Sequence, residues 1–447
     1  MRTSGFFHFL LAIALIVWGG PAVADDGPVV EEILQVLKDR GLVDEDEYQR
    51  LAAKNAKYEA EEKNSWMPEI DWSGDFRFRH ESWWFDEDDL GGEREDRYRI
   101  RYRFRVKGEV KINDWADVVF RLVSGDNDDR SNNQTLGSEE DFDTDDIRLN
   151  WAYAKMKAPS SWLPFPEGKA VLELGKMPQP FNWKRTGMKK GKDYMLWDGD
   201  VAPEGVTLLL SSKPTERTNL FGTFGYYVID ENSQEKDPHF WGLQVGAHQD
   251  FSQDWKFGAR VSWFAFRAID QAFNLRGATG EAGVTSGGGN IPDGLNGNLN
   301  GDPFNVVETA AYLTYDRFDS WPITVYGTFA QNLDAKKSVL FPGAGKEDTA
   351  WGVGLEVGDS KEFVKLGGGY WAIQANSFPS MFIDSDFLDG RTNRRGWAFY
   401  GSKQILENTE IKLTLFVIDE IQDEAAFAAS VRNAERFRLQ SDIVFKF

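Results

Sequence analysis

The sequence predicts an all-β protein, a transmembrane antiparallel up-and-down β-barrel of about sixteen strands behind a short α-helical, coiled-coil-like segment. Three observations carry this. The 447-residue chain opens with an export signal, and afterwards no apolar run approaches the roughly 20 residues of a spanning helix. From residue 69 onward, amphipathic strand candidates are joined by connections that mostly alternate between long and short. The last candidate, 435–447, puts Phe437, Leu439, Ile443, Phe445 and Phe447 on one face and Arg436, Arg438, Gln440, Asp442 and Lys446 on the other.

Arg2 supplies a positive charge, Phe6 to Gly20 is almost continuously apolar, and Ala22-Val23-Ala24 is a small-x-small cleavage site. These predict a signal peptide over 1–24 and a mature chain starting at Asp25. An exported chain without apolar helices enters a membrane only as a closed barrel, because open sheets leave backbone groups unsatisfied in lipid. Loss of the signal removes the one charge of Arg2 and no acid, taking the formal net charge from -21 to about -22. Such acidity argues against nucleic acid as a partner. Cysteine is absent, so disulfides and thiolate metal sites take no part.

Residues 25–64 form the helical region. Val30, Ile33, Leu34 and Leu37 share a stripe, Gly41 is a natural stop, and Asp44 with Glu47 resembles a capping box for a second helix. The apolar residues are too few for an independent core. A short periplasmic coiled coil and a solvated spacer both remain open.

The barrel occupies 65–447. Long connections include 124–145, 178–203, 268–304, 333–347, 375–391 and 420–434. Short ones include Ile112-Asn113-Asp114, Lys213-Pro214-Thr215, Ser252-Gln253, Ser360-Lys361 and Glu407-Asn408, with 159–169 of medium length. Outer-membrane barrels sort loops this way, short on the periplasmic side and long outside. Trp115, Trp255 and Trp321 each follow a short turn, as an aromatic girdle at one lipid–water interface requires.

The second candidate, 95–111, alternates cations (Arg97, Arg99, Arg101, Arg103, Arg105, Lys107) with Tyr98, Ile100, Tyr102, Phe104 and Val106. A cation facing lipid at mid-bilayer costs roughly 2–4 kcal/mol, so the cations face the lumen. Arg77, Arg79, Arg121, Arg148, Arg436 and Arg438 fall on inward faces too. The first, second and last strands become neighbours on closure, so one lumen wall is basic. Such a wall concentrates small anions, unless acids from neighbouring strands or an inward loop neutralise it.

The third external loop, 178–203, carries Lys184, Arg185, Lys189, Lys190 and Lys192, then Asp198 and Asp200. Folded inward it sets a constriction; folded outward it is solvated. Asp86 to Asp89 lie in the first loop, and Asp126, Asp128, Asp129, Glu139, Glu140, Asp141, Asp143 and Asp145 in the second. These read as solvated charge or as sites for cations bridging lipopolysaccharide. The Asn296-to-Gly301 run has EF-hand-like spacing but begins with Asn and reaches Val307 where a Glu is needed, so no metal site is assigned. No catalytic motif or cofactor signature appears. His80 and Ser82 share a strand face and read as a lumen-lining polar pair rather than a hydrolase site.

The chain resembles the putative porins of Gram-negative outer membranes. The likeness rests on the helical segment, Trp72-Ser73-Gly74-Asp75-Phe76-Arg77-Phe78-Arg79, the arginine-rich second strand and Asn133-Gln134-Thr135-Leu136-Gly137. It continues through Trp197-Asp198-Gly199-Asp200, Pro203-Glu204-Gly205 and Gly396-Trp397-Ala398-Phe399-Tyr400-Gly401-Ser402-Lys403-Gln404. More distantly the chain is similar to phosphate-selective porins, which line their pores with arginines. The resemblance implies a sixteen-stranded, trimeric diffusion channel set in outer-membrane lipid and lipopolysaccharide, passing small hydrophilic or anionic solutes. A tethering barrel with a plugged lumen and a barrel hydrolase are the alternatives. Phe447 is expected to be the tag read by the barrel assembly machinery. Its deletion is expected to lower surface levels of the protein in fractionated membranes; normal levels would refute that role.

Overall fold

Alternation of apolar and polar residues produces sixteen long strands: β1 (Ile70–Phe85), β2 (Arg97–Asn113), β3 (Ala116–Val123), β4 (Arg148–Lys157), β5 (Lys169–Lys176), β6 (Glu204–Thr215), β7 (Thr218–Val228), β8 (His239–Asp250), β9 (Trp255–Arg267), β10 (Asn305–Tyr315), β11 (Ile323–Asn332), β12 (Thr349–Gly358), β13 (Lys365–Ile373), β14 (Arg394–Leu406), β15 (Thr409–Glu420) and β16 (Arg436–Lys446). The computed structural model describes residues 29–63, 70–85, 95–125, 130–138, 143–165, 167–181, 185, 196–233, 236–269, 289–290, 304–318, 320–337, 343, 345–387, 390–422 and 436–447. The export signal, Asp86 to Asp89, Asp126, Asp128, Asp129, Glu139, Glu140, Asp141, Lys184, Lys189, Lys190, Lys192 and the Asn296-to-Gly301 run lie outside them.

Each strand pairs with its sequence neighbours, and β16 pairs with β1 from Asp75↔Lys446 to Phe85↔Arg436. That last pairing closes the antiparallel sheet and removes its edges, which a lipid environment demands. A two-residue segment, Gln134–Thr135, adds to β2 opposite Arg101 and Tyr102, where β3 has already ended. Every strand expected from the alternation is present.

The two faces are chemically distinct. Phe78, Ile100, Phe104, Val118, Leu220, Val261, Val325, Val353 and Ile443 are exposed on the outside. Arg77, Arg79, Glu81, Gln244, Glu308, Arg438 and Asp442 are buried inside. His80 departs from expectation: it is exposed on the face of Phe76 and Phe78. Arg77, Arg79 and Glu81 take the inward positions, so the period of two puts His80 on the opposite face; Ser82 shares its parity and is buried, and the two form no lumen pair. At the short-turn end Trp115 meets Trp162 edge-on at 5.4 Å, Trp255 lies 4.6 Å from Tyr315, and Trp321 lies 5.5 Å from Phe363.

The N-terminal unit holds helices α1 (Val29–Asp39) and α2 (Glu45–Lys63). Gly41 has φ +68°, and the Leu42 N–H returns to the Leu37 carbonyl at 3.0 Å, ending α1. The Glu47 N–H donates to Asp44 Oδ1 at 2.8 Å, capping α2. Leu34 is buried, whereas Ile33, Val36 and Leu42 stay exposed.

Phe447 sits where the barrel closes. Its N–H donates to the Gly74 carbonyl at 3.1 Å, and the Gly74 N–H donates to the Phe447 carbonyl at 2.7 Å. Its ring stacks on Phe104 at 6.4 Å. A side chain at Gly74 would meet that ring at 2.6 Å and the Arg105 carbonyl as well. Gly74→Leu is therefore expected to cost about 1–3 kcal/mol by overpacking. It should lower the yield of heat-modifiable folded barrel on gels; a wild-type yield would refute this packing.

Candidate pore and its inward loops

Same-face residues on one strand stand about 7 Å apart, so an uninterrupted column of arginines repels itself. Carboxylates interleave with it here. Asp75 accepts from Arg103 Nη2 and Arg105 Nε, each at 2.7 Å. Glu81, wholly buried, accepts from Arg99, from Arg438 Nη2 at 2.6 Å and from Gln440 Nε2 at 2.9 Å. Asp442 takes Arg79 in a two-point grip, Nε at 2.6 Å and Nη2 at 2.8 Å. Lys107 pairs with Glu109 at 2.8 Å.

Three guanidiniums instead find neutral hydrogen-bond partners. Arg77 donates to Asn133 Oδ1; Arg101 donates to Ser131 Oγ and the Asn133 carbonyl, both at 3.2 Å. Arg121 donates to Asn150 and lies 3.3 Å over the Trp151 ring. Asp442 stands 3.9 Å from Arg77 and Glu81 3.9 Å from Arg101, at the limit of an ion pair. On this wall the arginines outnumber the carboxylates.

Two loops enter the lumen. In the third external loop, Phe181 packs edge-on against Phe264 at 5.0 Å and Tyr227 at 6.0 Å. It does so over Gly242, where any side chain would overlap its ring. Arg260 Nη1 donates to the Phe181 carbonyl at 2.7 Å, and Arg185 pairs with Glu173. Trp197 then packs among Phe240 (5.4 Å), Phe264 (5.4 Å), Phe378 (5.0 Å) and Phe382 (5.1 Å). The last two belong to the loop between β13 and β14. Each such aromatic pair adds about 0.5–1.5 kcal/mol beyond area burial.

Polar bonds staple the loops together. The Asp198 N–H donates to the Phe382 carbonyl at 2.8 Å, and the Ser385 N–H donates to Asp198 Oδ2 at 2.7 Å. Each loop also reaches the arginine wall: Asp200 meets Arg105 at 3.3 Å, and Asp386 meets Arg79 at 2.8 Å and Arg438 at 3.3 Å. From the second external loop, Arg130 donates to the Gly390 carbonyl at 2.7 Å.

Burial and the negative charges of Asp384 and Asp200 push the Asp198 carboxyl well above the usual carboxylate range. Burial and Asp386 push Asp384 up to about 7. Burial works the same way on Asp386 and Asp200, but arginines outweigh it. Arg79, Arg438 and Arg77 hold Asp386 well below the usual range, and Arg105, Arg103 and Arg121 hold Asp200 below it.

The structure brings Arg77, Arg79, Arg99, Arg101, Arg103, Arg105, Arg121 and Arg438 to one wall with Asp200, while Asp198 reaches across to the β13–β14 loop. Arg97 is exposed at the start of β2, Lys107 lies toward the short-turn end, Arg148 donates to the Gly125 carbonyl, and Arg436 is buried on the inner face of β16. Asp75 and Glu81 carry no assignment from the sequence, and Asp442, placed on the polar face of the last strand, is given no partner. Their signal was there: Asp75 and Glu81 share strand parity with Arg77 and Arg79, and Asp442 with Arg436 and Arg438. Asp384, Asp386 and Asn133 sit in loops, where no periodicity points inward.

A family profile described as putative porin matches residues 90–286 and 299–435. Among solved structures, two engineered variants of the Rhodopseudomonas blastica porin align at 10% identity over 85% of this chain and 100% of theirs, with TM-scores of 0.42 and 0.40. No curated protein matches the chain.

A carboxyl held protonated by its fold favours that packing in acid and opposes it once ionised. The staple between the two loops is therefore expected to be tightest below the ordinary Asp value of 3.8 and to loosen as pH rises through about 7. Limited proteolysis within 374–393 should accelerate between pH 6 and pH 8, and Asp384→Asn should abolish the acceleration. A pH-independent rate in the parent protein would refute it.

Proposed function

The chain belongs to the putative porin family, and from that premise we propose that it passes small hydrophilic solutes passively across the outer membrane with a preference for anions. The carrying observation is the excess of guanidinium over carboxylate on the wall of β16, β1, β2 and β3. Arg77, Arg101 and Arg121 are buried on neutral hydrogen-bond partners, with Asp442 and Glu81 no nearer than 3.9 Å to the first two, so their charge is the least neutralised and adds to the positive potential of the wall. A homotrimer in lipopolysaccharide-bearing membrane is part of this reading. So is a periplasmic place for α1 and α2, because β1 begins at the short-turn end. The exposed Ile33, Val36 and Leu42 suit partner helices there.

A second reading has its own observation. The inward loops bring Phe181, Trp197, Phe378 and Phe382 into the lumen as one buried apolar cluster. This favours a barrel whose lumen is plugged and whose helices tether the membrane to a periplasmic partner.

Planar bilayers separate the two. Stepwise currents are expected, and under a tenfold KCl gradient the zero-current potential should carry the anion sign, within the limit of about 59 mV. Replacing Arg77, Arg101 and Arg121 together by Gln should move it toward zero while the barrel still folds. Arg103→Gln or Arg105→Gln should instead destabilise, since losing one partner of a buried ion pair costs about 3–5 kcal/mol. A silent bilayer would overturn the channel reading in favour of the plug; a cation sign would overturn the selectivity.

A further inference from the structure

The outer wall of the barrel is not uniform. Over β9 to β12 the outward positions are apolar, with Val261, Leu313, Val325 and Val353 all exposed. Over β16, β1 and β2 they are mixed. His80 is exposed on the outward face of β1, directly across from Ser441 of β16. Its imidazole makes no hydrogen bond to any described residue. On β2 the outward Tyr102 stacks on Phe76 of β1 at 6.3 Å, and its hydroxyl donates to Asp145 Oδ2 at 2.5 Å. That bond holds an exposed carboxylate against the outside of the barrel, beside the middle of β1.

The wall next to them is low. β3 and β5 have eight residues each, against seventeen in β2 and twelve in β8. Eight residues tilted by about 40° rise roughly 20 Å, short of the roughly 25 Å apolar band of a lipid-facing wall. Leu122, Ile147 and Leu149 are exposed along its outer edge.

Lipid does not suit this face, because a carboxylate or imidazole within the apolar band is costly and lipid tails offer Asp145 no donor. Water does not suit it either, because Leu122, Ile147 and Leu149 would stay uncovered. A protein surface with both apolar residues and a donor meets both needs, and this same face is such a surface. Head-to-tail contacts set two different patches of one surface against each other and close into a ring where the rotation allows. His80 and Asp145 are complementary patches of that kind, since an imidazole N–H donates to a carboxylate.

We propose that the outer face running from β16 through β1 to β5 is where copies of this chain meet, with His80 of one copy hydrogen-bonded to Asp145 of the next around a closed ring. This assignment rests on the homotrimer that accompanies the channel reading above.

Sedimentation of the full barrel in detergent should give a trimer. His80→Glu sets two acids against each other and should weaken association about tenfold or more; adding Asp145→Lys should recover most of it, as a restored charge pair does. Val325→Ala, on the opposite wall, should leave association unchanged. The chain has no cysteine, so cross-linking gives a second test. His80→Cys and Asp145→Cys barrels, folded as a mixture, should yield a dimer band with a short bis-maleimide, and neither variant alone should. If His80→Glu fails to fold by circular dichroism, the cross-link carries the test. A wild-type trimer that His80→Glu leaves intact, or a mixture that does not cross-link, overturns this face and leaves the homotrimer standing. A wild-type monomer or dimer overturns the homotrimer and this face together, while current steps in planar bilayers report on the channel independently of both.

Discussion

Interleaved charge at the closing seam governs much of this structure. β16, β1 and β2 meet there, and arginines from all three strands converge on Asp75, Glu81 and Asp442. Without those carboxylates, a column of guanidiniums about 7 Å apart would oppose closure. With them, the seam becomes a cross-strand lattice in a poorly solvated interior, where each bond is stronger than in water. Phe447 and Gly74 finish the same seam at the short-turn end by exchanging backbone hydrogen bonds.

The lattice also anchors what enters the lumen. Asp200 and Asp386 are acids of two distant loops, and both end on seam arginines. Their opposite sides meet an apolar wall, where Phe240, Phe264 and Phe266 face inward instead of charge. The lumen thus has a basic half and an aromatic half, with the loops spanning between.

Strand alternation made most of the architecture legible, because facing lipid or lumen is settled residue by residue at a period of two. The same parity assigned Arg99, Arg101, Arg103 and Arg105 to the inside. It also held information not drawn from it: Asp75 and Glu81 share parity with Arg77 and Arg79. His80 and Ser82 were misplaced because polar character was weighed above parity. The loop residues were illegible for another reason. Asp198 meets Ser385, a contact across 187 positions with no repeating pattern to announce it.

By itself, then, the sequence determined the strand count, the closure of the sheet, the inward arginines and the sorting of long from short connections. Each follows from local alternation or from the rule that lipid tolerates no unpaired backbone. Only the tertiary structure decided which arginines are held by carboxylates, that two loops turn inward, and that Asp198 of one is stapled to Ser385 of the other. Those facts depend on groups far apart in the chain arriving within about 3–5 Å, where desolvation makes charge and hydrogen bonding strong.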